Sequence, residues 1–437
     1  MNAEKVKQLI ANYGIDALNE MQKEALKKAD EHSDIILSAP TGTGKTIAFL
    51  LMALKKMPSN VTSTYCMVVT PTRELTLQIT DVFQKLKTGY KVTACYGGHK
   101  REIEEQNLVE APVMIVGTPG RIGDHIRRKN IKTDDIKMLI LDEFDKSLEL
   151  GFTDEMKFII ENLPAIENRI LISATPVNTI PDFIRLKDPD LIHYNSGEGS
   201  KLEMYKFSYE EGKKEESLFN LLCSIGNRKT IIFVNQKETV RSIHKLLHDK
   251  GIAAATYHGS MEQQERETSI SKFKNGTVLF LLTTDLASRG LDISNVRYII
   301  HYDMPETEQI FIHRNGRSAR MEASGDAILF SRNDKPLPDY LPQVLEEFPV
   351  KADQPVPDKS DWGTLFISAG KKDKINKIDI LGFLTKTGGL KREDTGLIDV
   401  KDFYSFAAVR RNKMNALLGM GHDQKIKNKK VRVAPAR

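Results

Sequence analysis

The run Ala39-Pro40-Thr41-Gly42-Thr43-Gly44-Lys45-Thr46 holds two glycines, an amine and a hydroxyl at spacings that suit a phosphate group. Glycine lets backbone N–H groups turn inward at a helix N-terminus, where the positive end of the helix dipole favours an anion. Lys45 can then reach the β- and γ-phosphates of a nucleotide, and the Thr46 hydroxyl can ligate Mg²⁺. Thr41, Gly42, Thr43 and Gly44 complete the cradle. Ala39 stands where the usual pattern opens with glycine. An ordinary glycine-rich turn is the plainer reading, and the rest of the chain argues against it.

Three further groups suit the same chemistry. Leu139-Ile140-Leu141-Asp142-Glu143-Phe144-Asp145 is an apolar run that ends in carboxylates. Asp142 can hold Mg²⁺ through water, and Glu143 can orient and deprotonate an attacking water. A helix start favoured by the dipole is the alternative for these acids. Ile172-Ser173-Ala174-Thr175 offers two hydroxyls that could bond the carboxylates or cap a helix. In His313-Arg314-Asn315-Gly316-Arg317-Ser318-Ala319-Arg320, Arg317 and Arg320 are spaced to share a helix face and meet one phosphate. A solvated basic helix end competes with that reading.

These groups need a scaffold, and the apolar periodicity supplies one. Short apolar runs at 35–39, 66–70, 91–96, 113–117, 138–142, 170–173 and 191–194 alternate with helical patterns at 73–87, 100–110, 120–129 and 154–162. Helices at 3–12 and 20–31 precede them. The alternation restarts with strands near 203–209, 230–234, 253–257, 278–283, 297–302 and 326–331, separated by helices at 213–225, 236–250, 262–274 and 306–315. A helix at about 338–347 is expected to close this module. Such alternation predicts mostly parallel sheets covered on both faces, with ligands at the strand C-terminal ends. The fold class is therefore α/β. Its domains are 1–197 and 202–348, then a Pro-containing linker at 349–361 and a small α+β domain at 362–437.

Composition bounds the class. The 437 residues are 40% hydrophobic and 28% charged, as in soluble globular proteins. No apolar run approaches a membrane span, so no membrane partner is expected. Cys66, Cys95 and Cys223 form no C-x-x-C pair, which predicts reduced thiols and a cytoplasmic location. The net charge of +5 is uneven: residues 362–437 carry 17 Lys+Arg against 7 Asp+Glu. A mildly acidic body with a basic tail predicts a polyanion partner.

Taken in order, the phosphate loop, Asp142-Glu143-x-Asp145, Ser173-Ala174-Thr175 and the arginine motif resemble the DEAD-box RNA helicases of superfamily 2 over residues 14 to about 348. The resemblance implies two tandem RecA-like domains that bind ATP and Mg²⁺ and unwind short RNA duplexes. It implies that Gln22 reads adenine, that Asp292 contacts the ribose, and that Arg317 and Arg320 meet the γ-phosphate. Ser173, Thr175 and Asp145 would couple the nucleotide to RNA. Pro71, Thr72, Arg73, Gly98, Thr118 and Arg121 would contact RNA from the first domain. Gln263, Arg266 and Thr284 would do so from the second. Departures are Phe144 in place of Ala, Leu18-Asn19 in place of Pro-Thr, and Ala319 in place of Gly. No adenine-stacking aromatic has a position ahead of Gln22, so looser nucleotide selectivity is expected.

The tail resembles the RRM-like RNA-binding domain of DbpA-type helicases. Leu365-Phe366-Ile367 would be its first strand, Ile378 to Lys386 a helix, Phe403-Tyr404-Ser405-Phe406 its third strand, and Val431-Arg432-Val433 its last. Exposed aromatics of such a sheet stack bases, which nominates Phe366 and Tyr404, with Phe406 a further candidate. Lys425, Lys427, Lys429 and Lys430 are expected phosphate contacts, and Trp362 a packing residue. The resulting expectation is a monomeric RNA-dependent ATPase acting on structured ribosomal RNA during ribosome assembly. The alternatives are an ATP-gated RNA clamp or an RNA chaperone with little unwinding.

Overall fold

The computed structural model describes the chain except residues 41, 99, 174–179, 195–201, 286–292, 294–295, 317–324, 352, 420–423 and 437. The chain forms two compact units. One is the first domain; the other holds the second domain together with the tail.

The first domain opens with helices α1 (Ala3–Tyr13) and α2 (Glu20–Glu31). Strands β1 (Asp34–Ser38), β2 (Cys66–Val69), β3 (Val92–Cys95), β4 (Met114–Gly117), β5 (Met138–Asp142), β6 (Asn168–Ser173) and β7 (Asp190–His193) follow. Helices α3 (Lys45–Lys56), α4 (Arg73–Lys85), α5 (Arg101–Val109), α6 (Pro119–Arg127), α7 (Phe144–Glu149) and α8 (Thr153–Glu161) connect most of them. All pairs are parallel, in the order β3-β4-β2-β5-β6-β1-β7. Parallel strands are buried on both faces, which is why they read as unbroken apolar runs. Successive residues feed opposite cores: Ile35 and Leu37 join one cluster, and Ile36 joins the other.

The second domain repeats this plan. Its strands are β8 (Glu203–Tyr209), β9 (Thr230–Phe233), β10 (Ala254–Tyr257), β11 (Phe280–Thr283), β12 (Tyr298–His301), β13 (Asp326–Arg332) and β14 (Glu346–Glu347). Their order, β10-β11-β9-β12-β13-β8-β14, is that of the first sheet position for position, and it too is parallel throughout. Helices α9 (Lys214–Ile225), α10 (Lys237–Asp249) and α11 (Gln263–Lys274) cover it, with a further helix at Glu308–Asn315. The expected helix at 338–347 is corrected: the segment is turns followed by the short β14. Pro342 removes a backbone donor a helix there would use and its ring would clash with the carbonyl one turn earlier, and it also disfavours helical backbone at Leu341.

In the tail, β16 (Thr395–Val400), β17 (Ser405–Arg410), β15 (Trp362–Ile367) and β20 (Val433–Pro435) form an antiparallel sheet in that order. A separate hairpin pairs β18 (Gln424–Ile426) with β19 (Lys429–Val431). Phe403 and Tyr404 precede β17 rather than opening it. Leu365, Ile367, Ala407 and Val409 face the tail's own core. Trp362 packs as expected, with the Arg410 guanidinium 4.5 Å from its ring.

The linker hugs the second domain. Lys351 N–H donates to Ser224 Oγ at 3.1 Å, and Ser360 Oγ donates to Gly276 O at 2.5 Å. No helix among the described residues is long and apolar enough to cross a membrane.

Candidate functional site

The phosphate loop leaves β1 and enters α3. Gly42 and Gly44 both have φ of +85°, a conformation that favours glycine. Helix α2 clamps the loop. Asn19 and Gln22 form a capping box at the start of α2, and each also reaches across to the loop. Asn19 Nδ2 donates to Thr43 O at 2.9 Å, and Gln22 Nε2 donates to Gly44 O at 3.2 Å. A Cβ on Gly44 would come within 2.5 Å of Gln22 Nε2. Gln22, the expected adenine reader, is 3% exposed, and in this structure its amide holds the cradle. Thr43 Oγ1 closes the turn by donating to Pro40 O at 2.9 Å.

Lys45 Nζ donates to Ala39 O and, at 3.3 Å, to Ser173 O. It thereby ties the ends of β1 and β6 together at the place where phosphates would sit. The neighbouring strand β5 ends in Asp142, which is buried. Burial pushes its carboxyl up to about 7, with the Glu143 charge adding to the rise and Lys45 opposing it. A buried carboxyl raised beside a second carboxylate is short of positive charge, and a hydrated divalent cation would supply it. With the Thr46 hydroxyl in the first turn of α3, the donor set fits Mg²⁺. Glu143 has φ of +46° and its N–H donates to Asp142 Oδ1 at 3.0 Å. Ser173 Oγ donates to Asp145 Oδ2 at 3.2 Å, one of the hydroxyl–carboxylate bonds the sequence allowed. Phe144 is 1% exposed within the core cluster of Leu141, Leu171 and Ile184, so the large ring fills core space under the carboxylates.

The other half of the same sheet carries the expected RNA contacts. At the end of β2, Thr72 caps α4 through Leu75 N–H at 3.3 Å, and Pro71 and Thr72 are buried. These two shape the loop. Arg73 leaves it and lies against Gly97 and Gly98, where a Cβ on Gly98 would collide with the guanidinium. Thr118 occupies the N-cap position of α6, after β4. Arg121 lies 3.2 Å from Glu104 Oε2. Glu104 is 1% exposed, takes Tyr96 N–H at 2.9 Å, and meets His125 Nε2 at 2.7 Å. Cys95 completes a group whose ligand atoms lie within 4.8 Å of one another. Arg121 and the hydrogen bonds already compensate Glu104 there, so the group needs no ion.

The second domain is organised around a residue that sequence reasoning quoted without singling out. Arg314 is 2% exposed. It donates to both Asp285 oxygens at 2.5 and 2.8 Å, to Asp303 O at 2.7 Å and to Asn235 Oδ1 at 2.8 Å. Arginine suits this hub because its planar fork is always charged. It joins the ends of β9, β11 and β12. Burial, with the Arg314 charge adding, pushes His301 down to about 3. Thr284 sits beside this hub, its N–H donating to Tyr257 O at 3.4 Å. Gln263 and Arg266 stand on the first turn of α11, and Arg266 donates to Gly259 O at 2.6 Å. Thr41, Thr175, Asp292, Arg317 and Arg320 lie outside the described residues.

The tail corrects one expectation. Phe366, Tyr404 and Phe406 pack on one another with ring centroids 5.5–6.1 Å apart. They lie on the sheet face turned to α11, and are not an open base-stacking platform. Phe406, opposite Phe366 and Asp399 in the sheet, is 1% exposed. Tyr404 Oη donates to Glu267 Oε2 at 3.1 Å, Ser271 Oγ donates to Asp399 Oδ2 at 3.3 Å, and Asn275 Nδ2 donates to Thr364 Oγ1 at 2.9 Å. Glu267, Ser271 and Asn275 recur every fourth residue, one stripe of α11 and its C-cap. The basic hairpin is partly committed as well. Lys427 pairs with Asp379 at 2.7 Å and Lys429 with Asp373 at 2.8 Å. Lys425 and Lys430 face each other across the hairpin, both exposed.

Comparison with known proteins places these features. The DEAD/DEAH box helicase family matches residues 19–183, the helicase conserved C-terminal domain matches 213–322, and the DbpA RNA binding domain matches 364–435. The chain is 34% identical over 363 residues to the ATP-dependent RNA helicase CshA of Listeria monocytogenes, covering 81% of this chain and 68% of that one. It is 27% identical over 450 residues to the ATP-dependent RNA helicase DbpA of Bacillus subtilis, covering 95% and 94%. Among solved structures, S. cerevisiae Dbp5 bound to RNA and ADP BeF3 matches with a TM-score of 0.67 and 27% identity, over 76% of this chain and 88% of that one.

Proposed function

The chain belongs to the DEAD-box ATP-dependent RNA helicases, and from that premise we propose how its residues divide the work. It is an RNA-dependent ATPase and helicase with a C-terminal RNA-binding domain. The observation that carries the proposal is the strand order of the first sheet. Strands β5, β6 and β1 are neighbours and end in Asp142-Glu143, Ser173 and the phosphate loop. Strands β3, β4 and β2 are neighbours and end in Gly98, Thr118 and Arg73. Nucleotide and RNA thus occupy adjoining halves of one sheet edge.

In this reading the cradle and Lys45 bind the β- and γ-phosphates, and Thr46 and Asp142 hold Mg²⁺, whose charge offsets that of the phosphates. Glu143 takes the proton of the attacking water. Arg317 and Arg320 supply positive charge to the γ-phosphate, and Asp292 holds the ribose. Ser173 reports the state of Asp145 to the RNA-facing half. Arg73, Gly98, Thr118, Arg121, Gln263, Arg266 and Thr284 hold one RNA strand. The physiological substrate is structured ribosomal RNA, acted on during ribosome assembly by a cytoplasmic monomer. The basic tail and its match to an RNA-binding domain support the structured substrate. Sequencing of RNA crosslinked to the full chain tests this. Crosslinks concentrated in helical segments of ribosomal RNA are expected; crosslinks spread evenly over messenger RNAs would overturn it.

A further inference from the structure

One carboxylate joins the tail to the second domain's expected RNA contacts. Glu267 lies on α11, one turn after Gln263. Its Oε1 accepts from Gln263 Nε2 at 2.9 Å, and its Oε2 accepts from Tyr404 Oη at 3.1 Å. Each oxygen therefore has one donor, one from the helicase body and one from the tail. The contact is also directional. A carboxylate only accepts, so it fixes which end of the Gln263 amide faces it. Gln263 Oε1 is enclosed by protein, so what the side chain can offer a ligand is the remaining N–H of its nitrogen. That is a donor, and a phosphate oxygen is its natural acceptor. Around this link the docked face is held at three more points. Asp399 accepts from Ser271 and feels the charge of Lys274, while Thr364 meets Asn275 Nδ2 at 2.9 Å and Thr277 Oγ1 at 2.7 Å.

We propose that Glu267 is a positioning residue for RNA engagement and that Tyr404 of the tail sets it. The inference rests on the reading of Gln263 as an RNA contact. Docking of the tail holds the Glu267 carboxylate in one rotamer. The carboxylate holds the Gln263 amide with its N–H turned toward the RNA backbone. The tail thus strengthens the body's grip on any single strand, whatever RNA the tail itself selects.

The test uses the full chain and an unstructured RNA oligomer that offers the tail no folded ligand. RNA-stimulated ATPase is measured as turnover and as the RNA concentration for half-maximal rate. Tyr404→Phe keeps the ring and its packing, so folding is preserved. It raises the half-maximal RNA concentration about threefold, less than the full worth of a hydrogen bond to a carboxylate, because Tyr404 acts on Gln263 only through Glu267. Gln263→Ala raises it about three- to tenfold. Turnover at saturating RNA stays the same for Tyr404→Phe. In the Gln263→Ala background, Tyr404→Phe adds nothing, because the link has no end to act on. If Gln263→Ala is silent, the RNA-contact reading fails and the proposal falls with it. If Gln263→Ala acts and Tyr404→Phe is silent, the reading stands and the proposal alone is overturned. Equal effects of Tyr404→Phe in both backgrounds would also overturn it, since the tail would then act by another route.

Discussion

Glu104 and Glu267 occupy related places in two domains of identical strand order, and they are supported differently. Each lies on the helix after the third strand of its sheet, α5 after β3 and α11 after β10, and each holds a proposed RNA contact: Arg121 for one, Gln263 for the other. Glu104 is fully buried, and its partners Tyr96, His125 and Arg121 all belong to its own domain. Glu267 is half-buried, and its second partner comes from the tail. The first domain holds its proposed RNA contact by itself. The second shares the task with an appended domain, where it can be adjusted without disturbing a core.

The comparison is sharpened most by a change that should ignore the tail. Glu143→Gln keeps the shape of the general base but cannot accept the water's proton. RNA-stimulated turnover should fall about a thousandfold, within the 10²–10⁴ range for general acid–base groups. The variant should still retain RNA in the presence of ATP in a filter-binding assay. Release of RNA by this variant would mean that nucleotide binding alone does not hold the strand. Next in size is the direct contrast of the two glutamates. Glu104→Ala leaves a buried His125 and Arg121 without their acid, a loss of about 3–5 kcal/mol for a buried charged network. Urea denaturation should report it as an early transition of the first domain. Glu267→Ala should cost about 1 kcal/mol or less, because its partners can turn to water. Equal destabilisation by the two would erase the distinction drawn here.

The smallest effect separates the tail's two surfaces. Removing one lysine–phosphate pairing with single-stranded RNA flattens the log–log salt dependence of binding by about 0.7. Lys425→Ala should approach that value. Lys427→Ala and Lys429→Ala should change the slope less, because Asp379 and Asp373 already offset those charges. A full change at Lys427 or Lys429 would show that RNA displaces the carboxylates.

Much of this was legible in the sequence because it is local. Parallel strands buried on both faces announce themselves as apolar runs, and the cradle is a continuous motif whose glycines and lysine need no distant partner. What escaped depends on contacts far apart in the chain. The resemblance marks Gln22 as a nucleotide contact, but that its amide also reaches Gly44, 22 residues away, is visible only in the fold. Arg314 draws Asn235, Asp285 and Asp303 from the ends of three strands, and only the sheet order brings those ends together. Phe366 alternates with the core residues Leu365 and Ile367, and Tyr404 with Phe403, as side chains of an exposed sheet face should, yet nothing in that alternation reveals that α11 lies against it. The helix expected at 338–347 failed for a local reason, Pro342 in what would be its second turn.

The docked sheet face also bears on how this tail can be inherited or transplanted. A free-standing RNA-binding module can be moved between proteins because its surface is complete without its neighbour. This tail places Phe366, Tyr404 and Phe406 against a stripe of small and polar side chains every fourth residue along α11. Joined to a body without that stripe, it would bare three adjacent rings and lose solubility. Exchange would therefore succeed only if helix and sheet moved as a pair. Descendants of this arrangement should have changed Glu267, Ser271 and Asn275 in step with Tyr404, Asp399 and Thr364.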